Sequence, residues 1–231
     1  MIKEVFIIHG TGQEEFSSFK QRLFKIASHY KENQSTSEVR LVITETNPPV
    51  ISIIPFQRIK MAVLSVYYPE NIDVPIASEM EGLAGHYFVE EALVLSYEKT
   101  WADADKTPGT CLLTLFRKKK TIDYQTFIDR WHYGHSPLSL KIHPLWHYNR
   151  NVVKEELAGS QTWYDGLVEE HVKKKSDLLN PFKFFGNPLI IIPRMVTVYR
   201  DVKSFIDYGS IESYLTQEYI LKSTTNKYAP H

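Results

Sequence analysis

The sequence contains a single cysteine, Cys111, among its 231 residues. One thiol cannot form a disulfide within the chain, and such usage is typical of proteins in a reducing compartment. An excess of charge of one sign is also lacking, because 27 basic and 27 acidic residues give a formal net charge of zero. A neutral chain has no global attraction for nucleic acid or for an anionic membrane. We therefore expect no nucleic acid and no membrane as partners.

Long hydrophobic runs are absent as well, and none approaches the length of a membrane span. The apolar start of the chain, residues 1–9, is too short for a signal peptide and is interrupted by Glu4. We therefore expect a cytoplasmic protein. The chain does have 43% hydrophobic residues, which is enough for one large core or two small ones.

Hydrophobic patterning divides the first 105 residues into short strands and one amphipathic helix. Thr11 and Glu14 match a capping box just before apolar residues at helical spacing. Segments rich in β-branched residues, or with period-two alternation, predict strands. The region 69–85 is weakly patterned, so a second helix there is provisional. The order β-α-β-β-(α)-β is typical of a ferredoxin-like unit. Its strands are predicted at 5–8, 39–43, 59–68 and 89–97, and its helix at 16–30.

A polar segment with proline and glycine, residues 102–110, predicts a linker. The same order then restarts, with strands at 111–116, 145–153, 163–172 and 211–221 and helices at 123–140 and 176–182. A shift of about 108 positions superposes the halves, and the second carries about 19 extra residues within 182–208. We therefore predict two structurally equivalent repeats, residues 1–105 and residues 106–231.

A titratable imidazole lies at the end of an aromatic stripe in the predicted helix 123–140. Asp123 is a good N-cap, because its carboxylate can accept the unpaired N–H groups of the first turn. Phe127, Trp131 and His135 follow at four-residue steps and so share one face. Pro137 is expected to end or kink the helix just beyond them. His135 is thus a candidate functional residue; the alternative is a hydrogen-bonded core or capping histidine.

Several segments of the second half together resemble the EthD domain. They keep its order and spacing over residues 111–221, about half of the chain. The matching residues are Leu112–Phe116, Phe127, Trp131, His135, Pro137, Leu138, Pro144–Asn151, Tyr164–Gly166, Glu169, Phe205–Asp207 and Glu218. The first half would be a divergent second copy.

The resemblance implies the dimeric α/β-barrel superfamily, whose fold is α+β. In that superfamily two ferredoxin-like β-α-β-β-α-β units pair their sheets into a barrel, with helices outside and a cavity inside. This chain would build the barrel from its own two repeats, which covers the second face of each sheet without loss of association entropy. The EthD family has no well-defined biochemistry. Its relatives include cofactor-free monooxygenases and polyketide cyclases, dehydratases and decarboxylases.

The third strand of the second half places Asp165, Glu169 and His171 on one face. This face would point into the barrel, where a carboxylate beside an imidazole can be tuned for proton transfer. We therefore name Glu169 and His171 as catalytic candidates and Asp165 as a substrate contact. The alternative is that Glu169 and His171 pair as satisfied polar groups. The opposite face is smaller and more apolar, and we expect it under the helices; it consists of Gly166, Val168, Glu170 and Val172.

Tyr148 matches the tyrosine of the EthD family, so the resemblance makes it a hydrogen-bond donor to a substrate oxygen. The alternative is an aromatic core tyrosine. Trp131 and His147 complete the predicted substrate-binding set. The sequence leaves open which face of the strand 145–153 lines the cavity.

Other chemistries find less support in the sequence. The loop 9–12 after the first strand resembles an oxyanion loop, but no Gly-x-Ser-x-Gly elbow accompanies it. The same loop lacks the third glycine of a dinucleotide site. Four histidines lie between residues 132 and 147 without a carboxylate at ligand spacing, so we expect no metal and no cofactor. The basic runs 117–120 and 173–175 favour solvated turns over an anion-steering patch.

We predict an enzyme that moves a proton on a small, apolar carbonyl-bearing or phenolic metabolite; lyase, cyclase and oxygenase outcomes are not separated by the sequence. The alternative is a non-catalytic binding or carrier module for a hydrophobic small molecule, because 13% aromatic residues can line such a cavity. A homodimer stays open. Only the second half is expected to hold a site, since Leu23 and Ala27 take the places of Trp131 and His135 in the first.

Overall fold

The computed structural model describes residues 1–69, 80–158 and 163–224, which form an α+β fold. The strands are β1 (Ile2–His9), β2 (Glu38–Ile43), β3 (Met61–Tyr68), β4 (Leu83–Leu95), β5 (Thr110–Phe116), β6 (Leu145–Ala158), β7 (Gly166–Val172) and β8 (Glu212–Lys222). The helices are α1 (Phe16–Glu32), α2 (Tyr124–Asp129), α3 (Ser136–Ile142), α4 (Lys175–Leu179), α5 (Pro181–Phe184) and α6 (Ile191–Phe205). A π-helical segment, Arg130–His135, joins α2 to α3. None of the helices described in these ranges combines the length and the apolar character that a membrane span requires.

The described strands close into one barrel in which neighbouring strands are antiparallel, in the order β1-β3-β2-β8-β5-β7-β6-β4. The strands of the first half are contiguous as β4-β1-β3-β2, and those of the second half as β8-β5-β7-β6. Two seams join the halves, because β2 pairs with β8 and β4 pairs with β6. The predicted α+β class and the closed barrel are confirmed.

Side-chain alternation sorts each strand between the barrel interior and the helices outside. The middle of the interior is apolar, with Val63, Leu113 and Leu167 in one cluster. Outside the first-half strands, α1 packs Phe19 and Leu23 against a second apolar cluster. Because both faces of the wall are covered here, β2 and β3 are buried along their whole length. Two-sided burial explains why β3 is apolar in consecutive positions.

The start of α1 differs from the prediction. The helix begins after Glu15, and Thr11 lies in a turn whose carbonyl accepts the Glu14 N–H at 2.9 Å. The predicted capping box therefore forms only in part and ahead of the helix, because the Thr11 N–H donates to Glu14 Oε2 at 3.2 Å. The Glu14 carboxylate also pairs with Arg22, with 2.9 Å between Oε1 and Nε. The provisional helix within 69–85 falls largely on residues 70–79, which lie outside the described residues.

Pro137 does not end the helix, because the π-helical segment accommodates it. Proline has no N–H, and its ring would collide with the carbonyl four residues earlier in an α-helix. The Ser136 N–H donates to the Trp131 carbonyl, a spacing of five residues, and α3 continues to Ile142. A π-helical turn absorbs one additional residue and often occurs at functional sites.

The extra residues of the second half form α6, a helix that the sequence analysis missed. The β-branched start Ile190-Ile191-Ile192 followed by Pro193 gives no helical signal. Pro193 lies in the first turn of α6, where N–H groups have no intrahelical partner, so the helix tolerates it. The buried face of α6 contributes Phe205 to the second-half cluster.

Candidate functional site

Strand β7 separates two groups of polar side chains. Leu167 belongs to the interior core, and Glu169 and His171, which have its parity, point into the barrel. Val168 and Glu170 line a cavity on the opposite face, beneath the helices. These are the faces that the alternation of β7 predicts. The predicted site residues nevertheless fall into separate places, because the sheet itself stands between His135 and the pair Glu169 and His171.

The outer cavity lies between the second-half sheet and the helices that cover it. It encloses about 180 Å³. Much of its wall is apolar and includes Trp131 and Phe205. An apolar cavity with a few convergent polar groups is the usual form of a small-molecule site. The polar side chains that line it are Thr114, His135, Ser139, His143, Glu170 and Ser213.

His135 is held at the cavity wall by a carboxylate on α6. Its Nδ1 lies 2.6 Å from Asp201 Oδ2, and because a carboxylate only accepts, Nδ1 donates the proton of this hydrogen bond. Its Nε2 lies 3.2 Å from Ser139 Oγ. The His135 side chain is 15% exposed and that of Asp201 is 22% exposed, so water screens the pair only in part. The arrangement orients the imidazole so that Nε2 faces Ser139 at the cavity wall.

Glu170 is a second titratable group at this cavity. Burial raises the pKa of its carboxyl to about 7, although the nearby charge of His135 and a hydrogen bond from Ser139 act in the opposite direction. A carboxyl with a pKa near neutrality can accept or donate a proton at physiological pH. Glu170 was not among the site residues predicted from the sequence, which favoured Glu169. The available signal was a charged residue on the strand face that was otherwise small and apolar.

His143 shapes the wall of the cavity rather than moving protons. Its Nδ1 donates to the Phe184 carbonyl at 3.0 Å, and its ring stacks on the Phe184 ring with 4.0 Å between centroids. Burial lowers the pKa of His143 to about 4. The imidazole is therefore neutral at pH 7 and fixed in one tautomer.

Trp131 and Tyr148 belong to one aromatic cluster behind the cavity. Trp131 also lines the cavity itself, and its role as a substrate contact stays a prediction. Tyr148 is fully buried, and its hydroxyl lies 3.4 Å from Ser136 Oγ. Burial raises the pKa of Tyr148 well above its ordinary value. This position matches the alternative of a core tyrosine better than the role of a substrate donor.

Inside the barrel, one end holds a buried polar layer that joins the two halves. Lys3 Nζ donates to Asn151 Oδ1 at 2.7 Å and to Glu91 Oε1 at 2.9 Å. The same ammonium lies 3.9 Å from Glu169 Oε1. Lys3 is 3% exposed and Glu169 is 2% exposed. Glu169 is therefore part of an ion-pair network. This network accounts for the burial of its carboxylate without a substrate cavity beside it.

The same layer continues across the barrel to β2 and β8. Arg40 pairs with Glu38 and lies 3.8 Å from Glu218 Oε1. Tyr97 donates to Glu218 Oε2 at 2.6 Å. Hydrogen bonds between charged groups are strong in a water-poor interior, and they offset part of the free-energy cost of removing these charges from water.

The two remaining predicted substrate contacts lie apart from the outer cavity. His147 is fully buried within the barrel, and its ring centroid lies 4.9 Å from that of His171. Asp165 accepts the Lys118 N–H at 2.8 Å and the Trp163 Nε1–H at 3.1 Å. Asp165 therefore fixes the turn before β7. Neither residue reaches the cavity that His135 lines.

The outer face of the first half differs from that of the second. Ala27 and Leu23 are buried in an apolar cluster, as the one-site prediction expects. Further along the same wall, His86 Nε2 donates to Glu4 Oε2 at 2.8 Å, and the His86 ring stacks on Phe6. The outer face of the first-half sheet is thus apolar beside Ala27 but carries a polar pair at His86 and Glu4.

Comparison with known proteins gives no match to any family model or to any curated protein. Solved structures match over nearly the whole chain. A candidate monooxygenase from Fusobacterium nucleatum subsp. nucleatum superposes with a TM-score of 0.55 at 11% identity, covering 96% of this chain and 92% of that one. An anthrone oxidase-like protein superposes with a TM-score of 0.58 at 7% identity, covering 98% of this chain and 95% of that one.

These likenesses and the strand order define the class of fold. The chain shares the fold of these two structures, and its described strands close an eight-stranded antiparallel barrel with helices outside, built by one polypeptide. At such low identities the likeness establishes the fold alone, and function has to be argued from the site.

Proposed function

We propose that this protein is an enzyme that moves a proton on a small, largely apolar carbonyl-bearing or phenolic molecule bound in the outer cavity of the second half. The observation that carries the proposal is Glu170. Its carboxyl has a pKa of about 7 in a cavity that also holds His135. A carboxyl whose pKa lies near neutrality, set in an apolar pocket beside an imidazole, provides what general acid–base catalysis requires.

The residues suggest a division of roles. Glu170 accepts a proton from an acidic C–H or O–H of the substrate. His135, oriented by Asp201, accepts or returns a proton at Nε2, while Ser139 lies within 3.2 Å of that atom. Trp131 and Phe205 supply apolar contact to the substrate rings. This assignment replaces Glu169 and His171, the earlier catalytic candidates, with groups that line one cavity.

An oxygenase outcome is favoured over lyase and cyclase outcomes. The two solved structures above are named for a monooxygenase and for an anthrone oxidase-like protein. Removal of a proton from an electron-rich phenol or ketone gives an anion that dioxygen can oxidise without a bound cofactor. This preference rests on the names of distant neighbours and on the proton-accepting cavity.

We also infer that the chain is a tandem of two ferredoxin-like repeats, residues 1–105 and residues 106–231, the second of EthD type. The repeated strand order supports the inference, because each half contributes its fourth, first, third and second strands in that sequence around the barrel. A buried, free Cys111 is in keeping with a cytoplasmic location.

The competing function is a carrier that holds a hydrophobic metabolite without chemistry. The aromatic wall that includes Trp131 and Phe205 supports it. A carrier does not need a carboxyl with a raised pKa in its cavity, whereas an enzyme that moves protons does. For this reason we prefer the enzyme.

A ligand screen followed by product analysis tests both functions. Anthrones, naphthols and aryl ketones are screened by thermal shift, and each hit is incubated in air and under argon before chromatography. The enzyme proposal expects a product in air, with Glu170→Gln lowering turnover by roughly 100-fold or more. Glu155→Gln, an exposed glutamate of β6, is the matched control and should retain turnover. Binding without any product from every hit would support the carrier.

A further inference from the structure

We propose that Glu169, His171 and Glu218 form a site for a divalent transition-metal ion inside the barrel, separate from the outer cavity. One ligand atom from each of these side chains lies within 4.8 Å of the others. All three residues are buried, with exposures of 2%, 1% and 0%. Glu169 and His171 come from β7 and Glu218 from β8, on either side of β5, so the curvature of the barrel wall brings them together.

Buried imidazoles without hydrogen-bond partners mark the same place. Among the described residues, His171 Nε2 has no hydrogen-bond partner, and neither ring nitrogen of the adjacent His147 has one. The His147 and His171 ring centroids are 4.9 Å apart. A buried polar atom without a partner costs free energy, so native proteins rarely keep several together. A metal ion accepts the lone pair of a neutral imidazole and would remove that cost at His171.

The charges of the surrounding layer favour a cation. Within the described part of the chain, four carboxylates face two cationic side chains, which leaves a formal charge of about minus two when the imidazoles are neutral. The charged members of the layer are Lys3, Glu38, Arg40, Glu91, Glu169 and Glu218.

The donor set selects the class of metal. Calcium and magnesium prefer oxygen donors alone, whereas an imidazole with two carboxylates suits zinc, manganese or ferrous iron. The sequence suggested a metal only among the histidines between residues 132 and 147. No local pattern pairs β7 with β8, because their proximity depends on the strand order β8-β5-β7 and on the curvature of the sheet.

Cobalt titration of the full-length protein tests the site. The protein is dialysed against a chelator, freed of chelator, and titrated with Co²⁺ by calorimetry and by visible absorption. We expect one Co²⁺ per chain, a ligand-field spectrum of low coordination number, and displacement by Zn²⁺. Glu169→Gln and His171→Gln should each weaken Co²⁺ binding by at least about tenfold.

The matched control is Glu170→Gln, the neighbouring carboxylate on the opposite face of β7, which should bind Co²⁺ like the wild type. Absence of stoichiometric binding in the wild-type protein would overturn the proposal, and so would undiminished binding by folded Glu169→Gln, which would indicate a surface site. If a variant fails to fold, the wild-type stoichiometry and a Co²⁺-dependent rise in Tm decide the question alone. If the wild-type protein shows neither, the layer is an ion-pair network without a metal; a Co²⁺-dependent rise in Tm without stoichiometric binding would also overturn the proposal.

Discussion

At the scale of single residues, Glu170 shows how one carboxyl can be both costly and useful. Burial of a carboxylate disfavours its charged form, and this raises the pKa of Glu170 from its ordinary value of 4.5 to about 7. The folded state therefore binds more protons than the unfolded state between about pH 4.5 and pH 7. Stability contributed by this group is present at low pH and is lost as the pH rises through that window.

Glu170→Gln should therefore stabilise the protein at pH 8 while it lowers activity. We expect a gain on the order of 2 kcal/mol in the free energy of unfolding at pH 8, and little change at pH 4.5. Urea unfolding at both pH values measures it. The difference between variant and wild type isolates Glu170 from the buried histidines, which titrate in both proteins. If Glu170→Gln stabilises the protein less at pH 8 than at pH 4.5, each measured against the wild type at the same pH, burial does not raise the pKa of Glu170.

Gly166 illustrates a position where a single methyl group is excluded. A Cβ there would lie 2.6 Å from Trp131 Cη2 and 2.7 Å from Phe116 Cζ, and both rings are buried. Gly166→Ala should therefore lower stability by about 1–3 kcal/mol through overpacking. Thermal unfolding would register this as a fall in Tm of roughly 2–4 °C per kcal/mol. Gly134→Ala is the control, because its nearest atom would be 3.9 Å away and its Tm should not fall.

At the scale of elements, α6 and the π-helical segment meet at one wall of the outer cavity. Two contacts join them: His135 to Asp201, and Arg130 Nη1 to the Ser204 carbonyl at 2.6 Å. The π-helical turn keeps His135 in this wall while the chain passes Pro137. The π-helical segment carries His135, and α6 carries the Asp201 carboxylate that fixes its tautomer. Both elements are therefore needed to present His135 to the cavity in this form.

Asp201→Ala should loosen α6 and lower turnover together. Loss of a partly buried hydrogen bond to a charged group costs roughly 1–3 kcal/mol, and His135 loses the partner that orients it. Hydrogen exchange across α6 should become faster, and turnover on the identified substrate should fall by about tenfold or more. Asp129→Ala is the matched control, because Asp129 contacts Gln125 on its own helix surface; it should leave α6 exchange unchanged.

At the scale of the whole molecule, closure of the barrel depends on seams between the two halves. The buried layer contributes to that closure, since Lys3 of the first half contacts Asn151 and Glu169 of the second. Removal of one partner from a buried ion pair leaves an uncompensated charge.

Lys3→Met should therefore destabilise the whole barrel in one cooperative transition. We expect a loss of about 3–5 kcal/mol, measured by urea unfolding in the presence of a chelator. Lys154→Met removes a more exposed pair with Glu90, at 38% and 67% exposure, and should cost less than about 1 kcal/mol. Equal costs for the two variants would show that the buried layer does not join the halves.

Much of this architecture could be predicted locally. Alternation in β7 gave the correct faces for Glu169 and Glu170, and Asp123 caps α2 as expected, accepting the Thr126 N–H at 2.7 Å. The helix α6 was missed, because the sequence at its start contains β-branched residues and Pro193. Asp201 was missed with it, since a carboxylate on an unpredicted helix cannot be paired with a histidine 66 positions earlier.

The sequence by itself determined the strands, their inward and outward faces, and the aromatic stripe that ends at His135. These are local properties, fixed by periodicities of two residues in a strand and about 3.6 in a helix. Only the tertiary structure decided that His135 meets Asp201 beside a cavity that Glu170 also lines, and that Glu169 lies close to Lys3 and Glu218 inside the barrel. Such contacts depend on barrel closure and on helix docking, which bring distant residues together through packing that no local pattern encodes.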